Sequence, residues 1–379
     1  MTYTASFTTP PMSSVLAIVE QKLRDMWKPE PGQPARSRAC TMNLLVVTGT
    51  PHVADSYVAI VDEVAASTPA RAIVVSMDAS ANESLLDGDV TAVGGDSSTF
   101  SERVRLHASG GACARVGSAV EALLVPEIPT TLVWLGRVHV EDPLFIELAS
   151  YAERVVLDTE YTSLSSLLSL AKWARADAGR PAIADLAWSR IATWQEMTAR
   201  FFDDPKMRNH AFKISKLTIQ QASMKGSRLG SEGALFLGWL TTRLGWKLER
   251  LGGALRLKRS DGGKVALTLS AVAPREGVAP LTLAGVHFEA EHEGVIAKGD
   301  ITRELASGAA AHAETPDADV LRWKLDVALP CATEQVVRMG PNKGGRYLER
   351  VLHRPGQDPA LAESVVIAEE LNDDGVVCT

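Results

Sequence analysis

Short apolar segments alternate with helical ones along the first half of the chain, and this alternation restricts the fold more than any other feature. The apolar runs have strand length and lie at 41–48 (TMNLLVVT), 71–77 (RAIVVSM), 130–136 (TTLVWLG) and 154–158 (RVVLD). A strand that is buried on both faces has this composition. Helical spacing is found at 53–67, 114–125, 142–152 and 163–174. Strands that alternate with helices predict an α/β domain with a mostly parallel sheet and helices on both faces. Residues 101–108 (SERVRLHA) alternate, as an edge or antiparallel strand does.

The pattern changes after about residue 205. An apolar helix is expected at 231–245, where Gly245 ends it. Short segments with alternating apolar and polar residues are separated by turns such as SDGG, and they lie at 210–222, 246–251, 254–259, 264–272, 279–291, 294–299 and 319–329. This pattern predicts an α+β C-terminal domain with an antiparallel sheet. Residues 360–371 are expected to form a last helix, followed by a frayed end at 372–379 (NDDGVVCT).

Three segments follow from these patterns. Residues 12–28 have helical spacing, and 28–37 (KPEPGQPARS) are rich in proline, so 1–35 are expected to be a helical arm and linker. The arm would pack against the body of the protein or against a partner. The α/β domain would occupy 36–204 and the α+β domain 205–379.

Composition limits the class of protein. The net charge is −7, with 39 basic and 46 acidic side chains, which disfavours non-specific binding to nucleic acid. We find neither a transmembrane run nor a secretory signal in the sequence. The cysteines stand far apart without a CxxC pair, which argues against a disulfide framework or a zinc site: Cys40, Cys113, Cys331 and Cys378. A cytoplasmic protein without a membrane partner is the expectation.

Motifs for chemistry are missing or incomplete. The first strand ends in VVTGTPH (46–52) without GxGxxG, and MGPNKGGR (339–346) has the wrong spacing for a phosphate loop. KGSRLGSEG (225–233) offers a possible anion nest, although a plain loop with a helix cap is favoured. His287 and His292 are closer to a solvated strand face than to a metal site. We therefore predict no catalytic residue, no cofactor and no metal.

Arginines next to predicted buried elements are the remaining candidates for an anion contact. Arg36 and Arg38 precede the first strand, and Arg71 begins the second one. Guanidinium groups suit phosphates, carboxylates and protein interfaces. Solvated or salt-bridged arginines are the favoured interpretation, with an anion contact as the alternative.

Aromatic residues are concentrated in 185–204 (DLAWSRIATWQEMTARFFDD), although they make up only 6% of the chain. The sequence from Thr193 to Glu196 fits a capping box, which predicts a helix from Trp194 to about Phe202. Its apolar face is most simply core: Trp194, Met197 and Phe201.

Trp188 and Arg190 precede this predicted cap in a segment expected to be extended. Alternation would then place both side chains on the same side. Because Trp and Arg are enriched at binding hot spots, we predict that this pair contacts a partner protein.

An ordered series of segments resembles the OpcA family, the glucose-6-phosphate dehydrogenase assembly proteins. The segments are RACTMNLLVV, TPARAIVVSM, LLVPEIPTTLVWLG, YAERVVLDT, DLAWSRIATWQEMTARFFDD and LFLGWLTTRLGW, from about residue 36 to 250. The resemblance implies an N-terminal α/β domain, a mixed C-terminal domain and a non-catalytic partner of glucose-6-phosphate dehydrogenase. It supplies no catalytic residues to transfer.

Two other functions stay open on the residues alone. One is a sensor that binds a sugar phosphate or a nucleotide without turnover. The other is an enzyme acting on sugar phosphates, with arginines holding the phosphate.

Overall fold

The computed structural model describes residues 4–8, 12–28, 37–38, 40–94, 99–251, 254–275, 278–305, 319–327, 333–339, 344–354, 356–373 and 375–379. The chain divides into two compact units. The first unit contains Met1–Leu186 and Gly344–Gln357, and the second contains Ala187–Lys343 and Asp358–Thr379. None of the helices in the described segments has the length and apolar composition needed to cross a membrane.

The first unit is built on one large sheet. Its strands are β1 Thr4–Thr8, β2 Ser37–Arg38, β3 Met42–Thr48, β4 Ala70–Asp78, β5 Leu85–Gly94, β6 Thr99–Ser109, β7 Thr130–Leu135, β8 Arg154–Leu157 and β9 Ala182–Asp185. They lie in the order β1-β5-β6-β4-β3-β7-β8-β9, with β2 beside β6. Pairing is antiparallel where β5 meets β1 and β6, and parallel between the other neighbours. The predicted mostly parallel sheet is confirmed. Strand β6, which contains the alternating residues 101–108, pairs antiparallel with β5 and lies inside the sheet rather than at its edge.

Helices cover this sheet on both faces. They are α1 Met12–Met26, α2 Pro51–Ser67, α3 Val116–Leu123, α4 Pro143–Ser150, α5 Leu164–Arg175 and α9 Gly344–Leu352. Leu44 and Val46 of β3 belong to one core cluster with Tyr57 of α2, while Leu45 and Val47 face the other way and are equally buried. This double burial explains the continuous apolar runs in the sequence.

The second unit has an eight-stranded sheet. Its elements are α6 Leu186–Arg190, which crosses the unit boundary, α7 Ala192–Arg200, β10 Ile214–Ala222, α8 Ser231–Arg243, β11 Lys247–Leu251, β12 Ala254–Lys258, β13 Lys264–Val272, β14 Leu283–His292, β15 Val295–Leu305, β16 Asp319–Val327, β17 Thr333–Arg338 and α10 Pro359–Asp373. The order is β11-β12-β13-β10-β14-β15-β16-β17. Only β10 and β13 are parallel among the pairs in the described residues. The predicted antiparallel α+β domain is confirmed.

The compact units divide before the boundary expected after residue 204. Phe201 stacks on Trp323 at 4.4 Å between ring centroids, and the Trp323 indole donates to the Met197 carbonyl at 2.9 Å. These contacts attach α7 to the second sheet, so the division falls at Leu186 and Ala187. Helix α1 of the predicted arm packs against β5 and α3 in the first unit, the first of the two alternatives given for it. Residues 29–36 of the predicted linker lie outside the described residues.

The chain end at 375–379 is held in place, so the expected frayed end is wrong. The Cys378 N–H donates to the Ser227 carbonyl at 2.9 Å. Thr379 exchanges two backbone hydrogen bonds with β13, to Leu269 and from Ala271, each at 3.0 Å. A free backbone edge of β13 binds this segment, and the local sequence does not reveal such an edge.

Cys378 is expected to resist alkylation in the folded protein. Its side chain is fully buried, and burial raises the pKa of its thiol, so both access and thiolate are reduced at neutral pH. Iodoacetamide labelling read by peptide mass spectrometry should modify half-buried Cys40 before Cys378, and Cys378 only in denaturant. Equal rates at the two cysteines in native protein would show that the chain end is open.

Candidate functional site

Trp188 lies in a helix rather than in the expected extended segment. It belongs to α6, where residues two positions apart point in different directions, so Trp188 and Arg190 do not share a face. The side chain is only 6% exposed. Its indole N–H donates to Oδ2 of Asp358 at 2.9 Å, and Oδ1 of the same carboxylate caps α10 by accepting from Ala360 N at 2.9 Å.

Arg190 makes an internal ion pair. Its Nε donates to Oε1 of Glu232 at 3.0 Å, and the two side chains are 11% and 7% exposed. Oε2 of Glu232 accepts from the Leu283 N–H at 2.9 Å, so the carboxylate joins α8 to the start of β14. The role of Trp188 and Arg190 in a partner contact stays a prediction, and both side chains have partners within the second unit.

The capping box is wrong, whereas the predicted core is confirmed. Helix α7 begins at Ala192, so Thr193 lies inside it, and no side chain caps its first turn. The backbone runs on from α6, since Ile191 N donates to the Ala187 carbonyl at 3.0 Å, and this leaves no open helix end to cap. The predicted core residues are each 1% exposed: Trp194, Met197 and Phe201.

Arg71 is also neutralised internally. Its Nε and Nη2 donate to Oε2 of Glu102 at 2.8 and 2.6 Å, and Nη1 donates to the Leu123 carbonyl at 2.9 Å. Oε1 of Glu102 accepts a hydrogen bond from the Trp27 indole at 2.6 Å. These three side chains line part of a cleft of about 480 Å³. Arg71 and Arg190 each make an ion pair within their own unit, and the anion contact of Arg71 stays a prediction.

The anion contact proposed for the N-terminal arginines stays a prediction. Arg36 and the side chain of Arg38 lie outside the described residues. Cys331 lies outside them as well.

The histidine pair does not form a joint metal site. His287 and His292 are five positions apart on β14 and therefore point to opposite faces of the sheet. Nδ1 of His287 lies 2.7 Å from Asp300, and the His292 ring packs edge-on against His210. Within the part of the chain that the structure describes, no cluster of His, Cys, Asp and Glu is arranged to hold a metal ion.

The loop at 225–233 is a plain loop with a helix start, as favoured. The Gly230 N–H at the start of α8 donates to Oε1 of Gln221 at 2.6 Å. The N–H of the N-cap residue of α8 is therefore already paired with a side-chain amide oxygen of the same unit.

Three segments meet at one end of the second sheet, and we call their described residues the apex: 223–229, 273–282 and 375–379. Leu281 N donates to the Ala222 carbonyl at 2.8 Å, and Ser223 N donates to the Val272 carbonyl at 2.9 Å. Gly226 N donates to the Cys378 carbonyl at 2.8 Å. Backbone bonds thus join all three segments at the carboxyl ends of β10 and β13.

Large apolar side chains are exposed on each segment of the apex. Met224 is 74% exposed, Leu281 43% and Val377 45%. The sequence gives no sign of this surface, because the three residues come from distant, unrelated loops.

Two family models match the chain in tandem. One, described as a glucose-6-phosphate dehydrogenase subunit N-terminal domain, matches residues 61–172. The other, described as the C-terminal domain of the same subunit, matches residues 181–365. The two models match the chain one after the other, the first within the α/β unit and the second mostly within the α+β unit.

Curated relatives agree with these models. The OpcA protein of Synechocystis sp. is 33% identical over 148 residues, which is 38% of this chain and 30% of the relative. The OpcA protein of Synechococcus elongatus is 27% identical over 279 residues, 70% of this chain and 58% of the relative. The chain belongs to the OpcA family, as the resemblance predicted. Its matches span between 30% and 58% of the length of these relatives.

Solved structures resemble the chain only weakly. An oxidoreductase from Bacillus cereus has a TM-score of 0.45 at 9% identity, covering 88% of this chain and 95% of that one. A levoglucosan dehydrogenase complexed with NADH has a TM-score of 0.43 at 10% identity, covering 90% and 100%. Likeness at this level carries no inference about activity.

Proposed function

We propose that this chain is a non-catalytic assembly factor and allosteric activator of glucose-6-phosphate dehydrogenase. It would bind the dehydrogenase, promote its active oligomer and so support the oxidative pentose phosphate pathway in the cytoplasm. The observation that carries the proposal is the tandem match to both domains of a glucose-6-phosphate dehydrogenase subunit. The OpcA names of the curated relatives support it.

Activation by binding has a thermodynamic requirement. An effector shifts its partner only by as much as it binds the active state more tightly than the inactive one. A coupling free energy of about 1–3 kcal/mol would change affinity by about 5- to 150-fold.

Replacing Trp188 by Phe separates an internal role from a contact role. Phenylalanine keeps an aromatic ring at this position but removes the hydrogen bond to half-buried Asp358. The free energy of unfolding should therefore fall by about 0.5–1.5 kcal/mol. If Trp188 serves only the second unit, the folded variant activates the dehydrogenase as the wild type does. Urea unfolding and activation assays on the same preparation check both expectations.

Arg190→Ala is the companion variant. It leaves Glu232 buried without its guanidinium partner, and destabilisation is again expected. A folded variant of either residue that loses activation would support the predicted contact through Trp188 and Arg190. Normal activation by both folded variants would refute it.

Co-elution with the dehydrogenase of the same cell tests the proposal itself. The chain, the dehydrogenase and their mixture are run on one sizing column. A new peak that contains both proteins is expected.

The chain alone should also be assayed with glucose 6-phosphate, because product formed without the dehydrogenase would favour an enzyme. A rise in melting temperature with this sugar phosphate, without product and without co-elution, would favour a sensor. A ligand present at 100 times its Kd raises the free energy of unfolding by about 2.7 kcal/mol.

A further inference from the structure

We propose that the apex is the surface through which this chain contacts the dehydrogenase. The partner surface that fits it presents an apolar side chain flanked by carboxylates. This inference rests on the proposed function and names the contact that carries it.

The exposed apolar residues give the first argument. Met224, Leu281 and Val377 stand on three segments that backbone hydrogen bonds hold together. Clustered exposed apolar side chains mark interaction sites in soluble proteins, whereas scattered ones need no explanation. Methionine is also enriched at interfaces, where its flexible side chain adapts to the partner.

The backbone of Leu281 gives the second argument. It has φ of 66°, a left-handed conformation that is strained for a residue other than glycine. The backbone of Gly230 packs closely against this turn, because a Cβ added at Gly230 would lie 2.4 Å from the Leu281 carbonyl oxygen. Glycine at position 230 therefore leaves room for the Leu281 turn. The second unit thus accepts strain to hold a leucine that stays 43% exposed.

A cleft lined in part by the apex residues Ala273, Pro274, Arg275 and Val278 offers a place for an anchor. Its volume is about 460 Å³, and its apolar wall comes mainly from Ala222, Val272, Pro274, Val278 and Ala284. A side chain inserted into such a pocket is the usual energetic centre of a protein interface.

Charge decides the chemistry of the partner. The described residues of the apex include Lys225, Arg228 and Arg275, and no Asp or Glu side chain, while Glu276 of the segment 273–282 lies outside the described residues. The cleft beside the apex adds one charge of each sign, Arg303 and Glu304. Lys225 and Arg275 are exposed. This local sign opposes the net charge of −7 of the whole chain. A partner surface with carboxylates around its apolar anchor is complementary to it.

The same charges disfavour a second copy of this chain as the occupant. A two-fold symmetric dimer through the apex would place the same patch against itself. The positive side chains Lys225, Arg228 and Arg275 would then meet the same positive patch on the second copy, and like charges across an interface are unfavourable.

Two variants of the full chain test the surface in different ways. Met224→Glu puts a carboxylate on a residue that is 74% exposed, so folding should be unaffected. The concentration of this chain that gives half-maximal activation of the dehydrogenase, the half-activating concentration, should rise at least 10-fold. Leu281→Gly removes the exposed side chain and relieves the left-handed strain. Its melting temperature should therefore be unchanged or higher, while the half-activating concentration again rises. A purely structural role for Leu281 would not produce this combination.

Ile296→Glu is the matched control. Ile296 is 43% exposed, as Leu281 is, and lies on β15 near the turn that follows β14, at the opposite end of the same sheet. This variant should activate as the wild type does. The comparison removes any general effect of added negative charge on the second unit.

The outcomes separate the surface from the function. If the wild type activates and both apex variants match it, the apex is not the contact, and the proposed function stands. If the wild type neither co-elutes nor activates, the proposed function fails, and the apex contact fails with it. If the chain alone forms a dimer that Met224→Glu abolishes, the apex is a self-association surface and the inference is overturned.

Discussion

Replacing Glu102 by alanine is expected to destabilise the first unit by about 3–5 kcal/mol. The carboxylate is 1% exposed and pairs with Arg71, whose side chain is 12% exposed. Removing one member of a buried pair leaves the other charge without compensation, and this costs more than the intact pair contributes. The Trp27 indole would also lose its acceptor. Urea unfolding followed by circular dichroism measures the loss.

The double variant Arg71→Met with Glu102→Leu is the control. It replaces both charges with apolar groups, so it should be clearly more stable than Glu102→Ala. A loss below about 1 kcal/mol for Glu102→Ala would contradict the buried pair, because an exposed ion pair contributes only that much.

Replacing Gly238 by alanine should destabilise the second unit by about 1–3 kcal/mol, although alanine is the better helix former. In α8 alanine is favoured over glycine by about 1 kcal/mol. The added Cβ, however, would lie 2.4 Å from the Ser364 carbonyl oxygen and 3.0 Å from its Cα, both in the backbone of α10. Backbone cannot move aside as a side chain can, so overpacking exceeds the propensity gain.

Gly233→Ala in the same helix is the matched control. Its closest neighbour would be Cδ1 of Leu229 at 2.8 Å, the end of a flexible side chain. This variant should be neutral or slightly stabilised in the same urea experiment. Equal effects of the two substitutions would contradict the close approach of α8 and α10.

Elements with a local signature could be predicted from the sequence. The runs at 41–48 and 71–77 are mostly apolar because β3 and β4 are covered on both faces. Strand β5 was missed because Leu85–Gly94 carries Asp87, Gly88 and Asp89 among its residues. Its place depends on antiparallel pairing with β6, which composition does not encode.

Long-range contacts could not be predicted. Helix α9 returns to the first unit, where Leu348 and Val351 join the core around β3. The Trp188 indole pairs with a carboxylate 170 positions away, so its sequence neighbours gave no sign of that role. A helix of five residues, α6, is too short for periodicity to distinguish it from an extended segment.

The apex illustrates the same limit for the proposed contact surface. Met224, Leu281 and Val377 are each unremarkable in sequence, and only the fold brings their segments together. Nothing in the segment around Leu281 signals its left-handed backbone, because leucine rarely adopts it.

Titrating purified dehydrogenase from the same cell with this chain tests the proposed activation most directly. The rate of NADPH formation is measured across glucose 6-phosphate concentrations, and sedimentation of each mixture reports the oligomer. We predict a saturable rise in activity or fall in apparent KM that accompanies a larger, mixed oligomer. Unchanged kinetics and separate sedimentation of the two proteins at saturating concentrations would contradict the account.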